Sequence, residues 1–86
     1  MTLMHPSRTG SRVSVWFTGG APVRLVSAGT RFRVIGEAKA ADINGARYWR
    51  FRAEGDDGSG GTFDIRETGG GWILVGVEDD AGSDIP

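Results

Sequence analysis

The chain contains no cysteine. That excludes disulfides, Cys-ligated zinc, iron–sulfur clusters and thiol nucleophiles. It contains one histidine, His5, in an N-terminal stretch without periodicity. A Ser-His-Asp arrangement needs a held and oriented imidazole, and nothing around His5 offers one. Long apolar runs are also missing. No segment approaches the ~18 residues of a transmembrane helix. The opening "MTLMHPSRTG" has no apolar stretch of signal-peptide length. These absences lead to the expectation of a cytoplasmic protein with no membrane contact. No helix of three turns is apparent, and Lys39 is the only lysine among ten basic residues.

Excess charge is lacking as well. Ten basic and eleven acidic side chains leave a formal net charge of −1, so no global basic field draws in nucleic acid or anionic membrane. The distribution is uneven. The basic residues run from Arg8 to Arg66, and Glu78, Asp79, Asp80 and Asp84 crowd the C-terminus. The carboxylates form no recognisable acid/base motif. Glu54, Asp56 and Asp57 lack the alternating oxygen spacing and closing Glu of a calcium loop. "GGTFDIRETGGG" has glycines without the strand, lysine and helix of a phosphate loop. No catalytic residue, metal ligand or cofactor is expected.

What is abundant is glycine, 15 of 86 residues, placed between short apolar runs. That arrangement favours many strands joined by tight turns. "RVSVWFT", 12–18, alternates Val13, Val15 and Phe17 against Ser14, Trp16 and Thr18. "VRLVSAGTRFRVI", 23–35, reads as a hairpin about Ala28-Gly29, which sets Leu25 opposite Phe32, Val23 opposite Val34 and Arg24 opposite Arg33. Asn44-Gly45 is the strongest turn signal in the chain. Closure on those two residues sets Ala38, Ala40 and Gly36 opposite Phe51, Trp49 and Ala53 on an inner face. On the outer face it sets Glu37, Lys39 and Ala41 opposite Arg52, Arg50 and Tyr48, and places Asp56 opposite Arg33. The strand from 31 to 43 is then about twice the usual length, with Gly36 as the place to bend. A competing reading makes "EAKAAD", 37–42, one helical turn. "TFDIRE", 62–67, and "WILVGV", 72–77, form a third hairpin, with Phe63, Ile65, Trp72 and Leu74 inward and Ile73, Val75 and Val77 on the other face.

The expected fold is all-β: a small antiparallel meander barrel or strongly curved sheet, SH3-like, of about six strands. Residues 1–10 read as a flexible lead, 11–80 as a single β domain and 81–86 as a loose acidic tail. A domain of this length buries roughly 60% of its unfolded surface and has little stability to spare.

Two surfaces stand out. Arg24, Arg31, Arg33, Lys39, Arg50, Arg52 and Arg66, with Tyr48, share the outer face of the expected sheet. They could track phosphates, with Tyr48 stacking on a base. Arg24 opposite Arg33 and Lys39 opposite Arg50 put like charges side by side, which costs stability unless an anion lies nearby. The plainer reading is a solvated face carrying ordinary ion pairs such as Glu37–Arg52. The other surface is apolar. Ile73, Val75 and Val77 form a strip too hydrophobic to leave in water, so Trp16 is expected to fold over it or a second chain to cover it.

"PVRLVSAGTRFRVIGEA", "RYWRFRAE" and "GTFDIRETGGGWILVGVED" together resemble a small bacterial all-β domain. That domain occurs alone and at the C-terminal end of proteins related to Y-family DNA polymerases. Phe63-Asp64-Ile65-Arg66 stands where the domain has an aromatic-led strand, and Phe63 replaces a frequent tyrosine. The resemblance spans residues 22–80. It implies no enzyme activity and an accessory role near DNA. The functional expectation is a non-catalytic interaction module that binds protein or itself, through Trp16, Ile73, Val75 and Val77, accessory to a DNA-processing assembly. The alternative is weak DNA or RNA binding through Arg24, Arg31, Arg33, Lys39, Tyr48, Arg50 and Arg52.

Overall fold

Asn44 and Gly45 both take positive φ, 52° and 82°. These are the two backbone conformations that a two-residue hairpin demands, because they match the right-handed twist of the flanking strands. Ala28 and Gly29 do the same at 52° and 82°. These two turns fix the register of the central part of the chain. In the computed structural model, which describes residues 10–79, six strands follow one another: β1 Arg12–Thr18, β2 Ala21–Ser27, β3 Thr30–Ile43, β4 Ala46–Gly55, β5 Gly60–Thr68 and β6 Gly71–Asp79. Every strand pairs antiparallel with its sequence neighbour, and β6 returns to β1, so the meander closes into a barrel. The expected lead, apart from Gly10, and the expected tail lie outside the described residues, as does His5.

The segment 37–42 continues β3 and forms no helical turn. Its pairing with β4 begins as the Asn44-Gly45 turn dictates, with Ala41↔Tyr48, Ala40↔Trp49 and Lys39↔Arg50. It then shifts between Ile35 and Lys39, where three β3 residues stand against Phe51 alone. Gly36, at φ 73°, takes the bend there. Beyond it the partners are Ile35↔Arg52, Val34↔Ala53 and Arg33↔Glu54. These replace the expected Glu37–Arg52, Gly36–Ala53 and Asp56–Arg33 pairs. A slip of two residues preserves the inside-outside alternation, so the arginines stay on the outer face even though their neighbours change.

The interior is made by alternate residues of all strands except β3, whose inward side chains reach it only in part. Val13, Leu25, Trp49, Phe51, Ala53, Phe63, Ile65 and Leu74 are buried, and Phe32, Val34, Ala38 and Val77 pack against them. Phe63 anchors the ring contacts. It stacks on Phe51 at 6.0 Å and meets Phe32 edge-on at 4.8 Å, both favourable aromatic arrangements. At one end of the barrel Phe17 contacts Trp72 at 5.4 Å and Trp49 at 6.2 Å. Trp49 thus sits opposite the small Ala40, as the turn register implied, and Ala38 lies in the bulge that faces Phe51.

β6 departs from simple alternation. Ile65 pairs with Leu74, but Asp64 pairs with Gly76, leaving Val75 as the extra residue of a bulge. Downstream of it the faces exchange. Val77 stands opposite Phe63 and packs against the core. The expected strip of Ile73, Val75 and Val77 is therefore broken. Trp16 does not cover it either, because β1 joins β6 edge to edge through Arg12↔Ile73 and Val13↔Trp72.

A candidate nucleic-acid interface

The outer residues of the first three strands line up in one row. Trp16 pairs with Arg24, and Arg24 pairs with Arg33. Residues directly opposite each other in an antiparallel pair have Cβ atoms about 5 Å apart and share a face. The row therefore sets an indole beside two guanidinium-bearing side chains. Trp16 is 52% exposed, the most exposed large hydrophobic residue among those described. Arg31 lies two residues before Arg33 on the same side of β3, opposite Val26. Among the described residues, Arg24, Arg31 and Arg33 have no acidic side chain at ion-pair distance. Glu54 stands across from Arg33 in the ladder without pairing with it.

The second group of cations is organised differently. Lys39 does lie opposite Arg50, but Arg50 turns to its other neighbour, Asp64. Its Nε and Nη2 donate to the two carboxylate oxygens at 2.8 and 3.0 Å. This two-pronged contact raises the Arg50 pKa through the hydrogen bond first and charge attraction second, and Glu78 adds to it. Arg50 is therefore satisfied within the fold. Arg52 is engaged by a neighbour. Tyr48 is half-buried between Ala41 and Arg66 in the ladders and presents less ring than Trp16 does. The seven expected anion-binding residues thus separate into Arg24, Arg31 and Arg33 on β2 and β3, which make no ion pair with a described carboxylate although Glu54 faces Arg33 in the ladder, and a group around β4 in which Arg50 is tied to Asp64.

No protein-family model, no curated protein and no solved structure matches this chain. The reading of the site rests on its geometry.

A further signal is present in the sequence itself. No Asp or Glu occurs before Glu37, while Arg8, Arg12, Arg24, Arg31 and Arg33 do. Every acidic residue lies in the remainder of the chain. The overall charge of −1 conceals this segregation, which the barrel converts into one cationic side formed by β1, β2 and the start of β3.

The acidic loop after β4 serves the fold. Asp57 Oδ1 accepts from the Ser59 backbone N–H at 3.0 Å and from Ser59 Oγ at 2.6 Å. Hydrogen bonds from the Ser59 hydroxyl, then from its backbone, hold the Asp57 carboxyl below its usual range. Gly55 completes the turn, because a Cβ there would lie 2.7 Å from Asp57 Oδ1 and 3.0 Å from the Phe32 ring. Among the described residues no group of three His, Cys, Asp or Glu side chains is placed to hold a metal ion. No helix among the described residues is long and apolar enough to cross a membrane.

Proposed function

We propose that this chain is a non-catalytic interaction module, that its working surface is the outer face of β1, β2 and the first half of β3, and that it holds a nucleic-acid strand there. The observation that carries this reading is the row Trp16–Arg24–Arg33. Two like charges set opposite each other cost stability in isolation. A phosphate between them removes that cost and gives each guanidinium a charge-assisted partner. Trp16 lies one strand away, at the spacing of a base that stacks while its phosphate is held, and such stacking contributes about 1–3 kcal/mol per base. A splayed single strand offers both groups at once, whereas a duplex hides its base faces. The likeness to a domain found beside Y-family polymerases agrees with this reading and adds an accessory role in DNA processing as its setting.

The experiment is a titration of a labelled twelve-nucleotide single strand and of its duplex at 50 and 200 mM salt. Three phosphate contacts, from Arg24, Arg31 and Arg33, predict about a 20-fold loss of single-strand affinity over that range. Arg24→Glu combined with Arg33→Glu should abolish binding. Trp16→Ala should weaken it while leaving the salt dependence unchanged. Salt-insensitive binding, or none at all, would overturn the reading.

A protein partner is the second reading. The exposed strip on β6 no longer supports it, since Val77 turns inward and Ile73 is half-buried. One other observation does support it: β1 lacks a strand along most of its outer side.

A further inference from the structure

β6 begins at Gly71 and meets β1 at two ladder positions only, Arg12↔Ile73 and Val13↔Trp72. β1 continues to Thr18, with β2 on one side. On the other side the Gly69-Gly70 turn swings the chain back toward β5, so no described strand accompanies β1 from Ser14 to Thr18. Ser11 O accepts from Leu74 N across the seam at 2.8 Å. Backbone groups of a strand alternate in direction, so the N–H and C=O of Val15 and Phe17 face the open side. A groove of about 580 Å³ meets the start of this edge at Ser14 and Val15, between Gly70 and Trp72 on one side and Val26 and Gly29 on the other. Exposed edges are commonly protected by charge or proline. Residues 14–18 have neither, and Trp16 and Phe17 are 52% and 39% exposed.

We propose that the β1 edge is a strand-addition site for an extended acidic segment of a partner protein. This goes beyond the nucleic-acid reading, because its affinity comes from a ladder of alternating backbone N–H and C=O bonds, which an extended peptide supplies and a nucleic acid does not. Charge selects the occupant. The β1–β3 side of the edge carries Arg12, Arg24, Arg31 and Arg33, against the single Glu67 opposite Trp72 on the other side, and no acidic residue precedes Glu37 in the chain. Two copies joined through their β1 edges would bring two such surfaces together, and like charge opposes that. An added strand lies two strand spacings, about 10 Å, from Arg24. The guanidinium can lean across the Trp16 ring, a favourable cation–π approach, to meet a glutamate on the added strand.

The probe is a fluorescein-labelled nine-residue peptide alternating Val and Glu, titrated into the full chain. Two derivatives carry backbone N-methyl groups on one set of alternate residues or on the other, and a third peptide has Lys in place of Glu. The Val–Glu peptide is expected to bind, with shifts of the Val15 and Phe17 amide resonances. One N-methylated derivative should lose at least tenfold in affinity and the other should keep it, because only one set of amides faces β1. The Lys peptide should bind at least tenfold more weakly. No binding by the Val–Glu peptide, equal affinity of the two N-methylated derivatives, or equal affinity of the Lys peptide would each overturn the proposal. So would sedimentation as a dimer that the peptide fails to dissociate, since a second copy would then occupy the edge.

Discussion

Trp49 shows how a single residue couples strand alternation to stability. It is 8% exposed, paired with Ala40 on one side and Ile65 on the other, and it meets the Phe17 ring at the barrel end. Its neighbours Tyr48 and Arg50 point outward. Trp49→Ala leaves a ring-sized void in a core of few large side chains. The expected cost is about 3–5 kcal/mol, a large part of what a small domain has, read as a fall in the urea midpoint. An unchanged midpoint would place the indole outside the core. Trp16 is the opposite case. The sequence shows only that it shares a face with Ser14 and Thr18. Whether it covers another strand or stands free depends on how β1 meets β6, and no local pattern encodes that long-range choice. Its alignment with Arg24 depends in turn on the β1–β2 register, which shifts between Trp16 and Phe17.

At the scale of elements, the turns were the legible part. Asn44-Gly45 and Ala28-Gly29 specify two hairpins by chemistry, and their ladders begin as expected. The bulges were not legible. Gly36 marked a bend, but a glycine does not state how many residues the bulge contains, and the answer of two moved Arg33 from Asp56 to Glu54. Within β6 the run Ile73–Val77 is apolar throughout apart from Gly76, so alternation cannot reveal the irregularity at Val75. Paired variants test the bulge. Val75 is 43% exposed, so Val75→Asp should leave the melting temperature nearly unchanged. Val77 packs opposite Phe63, so Val77→Asp places a carboxylate against the core and should unfold much of the protein at room temperature. Equal tolerance of the two substitutions would restore simple alternation along β6 and, with it, an apolar strip of Ile73, Val75 and Val77.

At the scale of the whole molecule, the barrel is closed by its weakest seam. β4 and β5 share seven ladder positions, whereas β1 and β6 share two, supplemented by the bonds from Leu74 N to Ser11 O and from Gly10 N to Leu74 O. The cationic strands lie on the β1 side of that seam, and five of the nine carboxylates among the described residues belong to β4, β5 and β6. Both proposed surfaces therefore sit on the part of the barrel least tied to the rest. Local opening follows such differences, because a strand held by few backbone bonds separates at a free energy below that of global unfolding. Hydrogen exchange followed by NMR measures it. The amides of Val15 and Phe17, with no strand to receive them, should exchange fastest among the β1 residues. The Leu74 amide, bonded across the seam, should exchange at an intermediate rate. The amides of the β4–β5 ladder around Phe51 and Phe63 should be slowest and should report global unfolding. An acidic peptide added to β1 should slow the Val15 and Phe17 amides by taking up their hydrogen bonds, whereas a nucleic-acid strand on the outer face should leave those two unchanged. Uniform protection of Leu74 and the β4–β5 amides would mean that the barrel opens only as a unit, and that β1 is held as firmly as the strands at its centre.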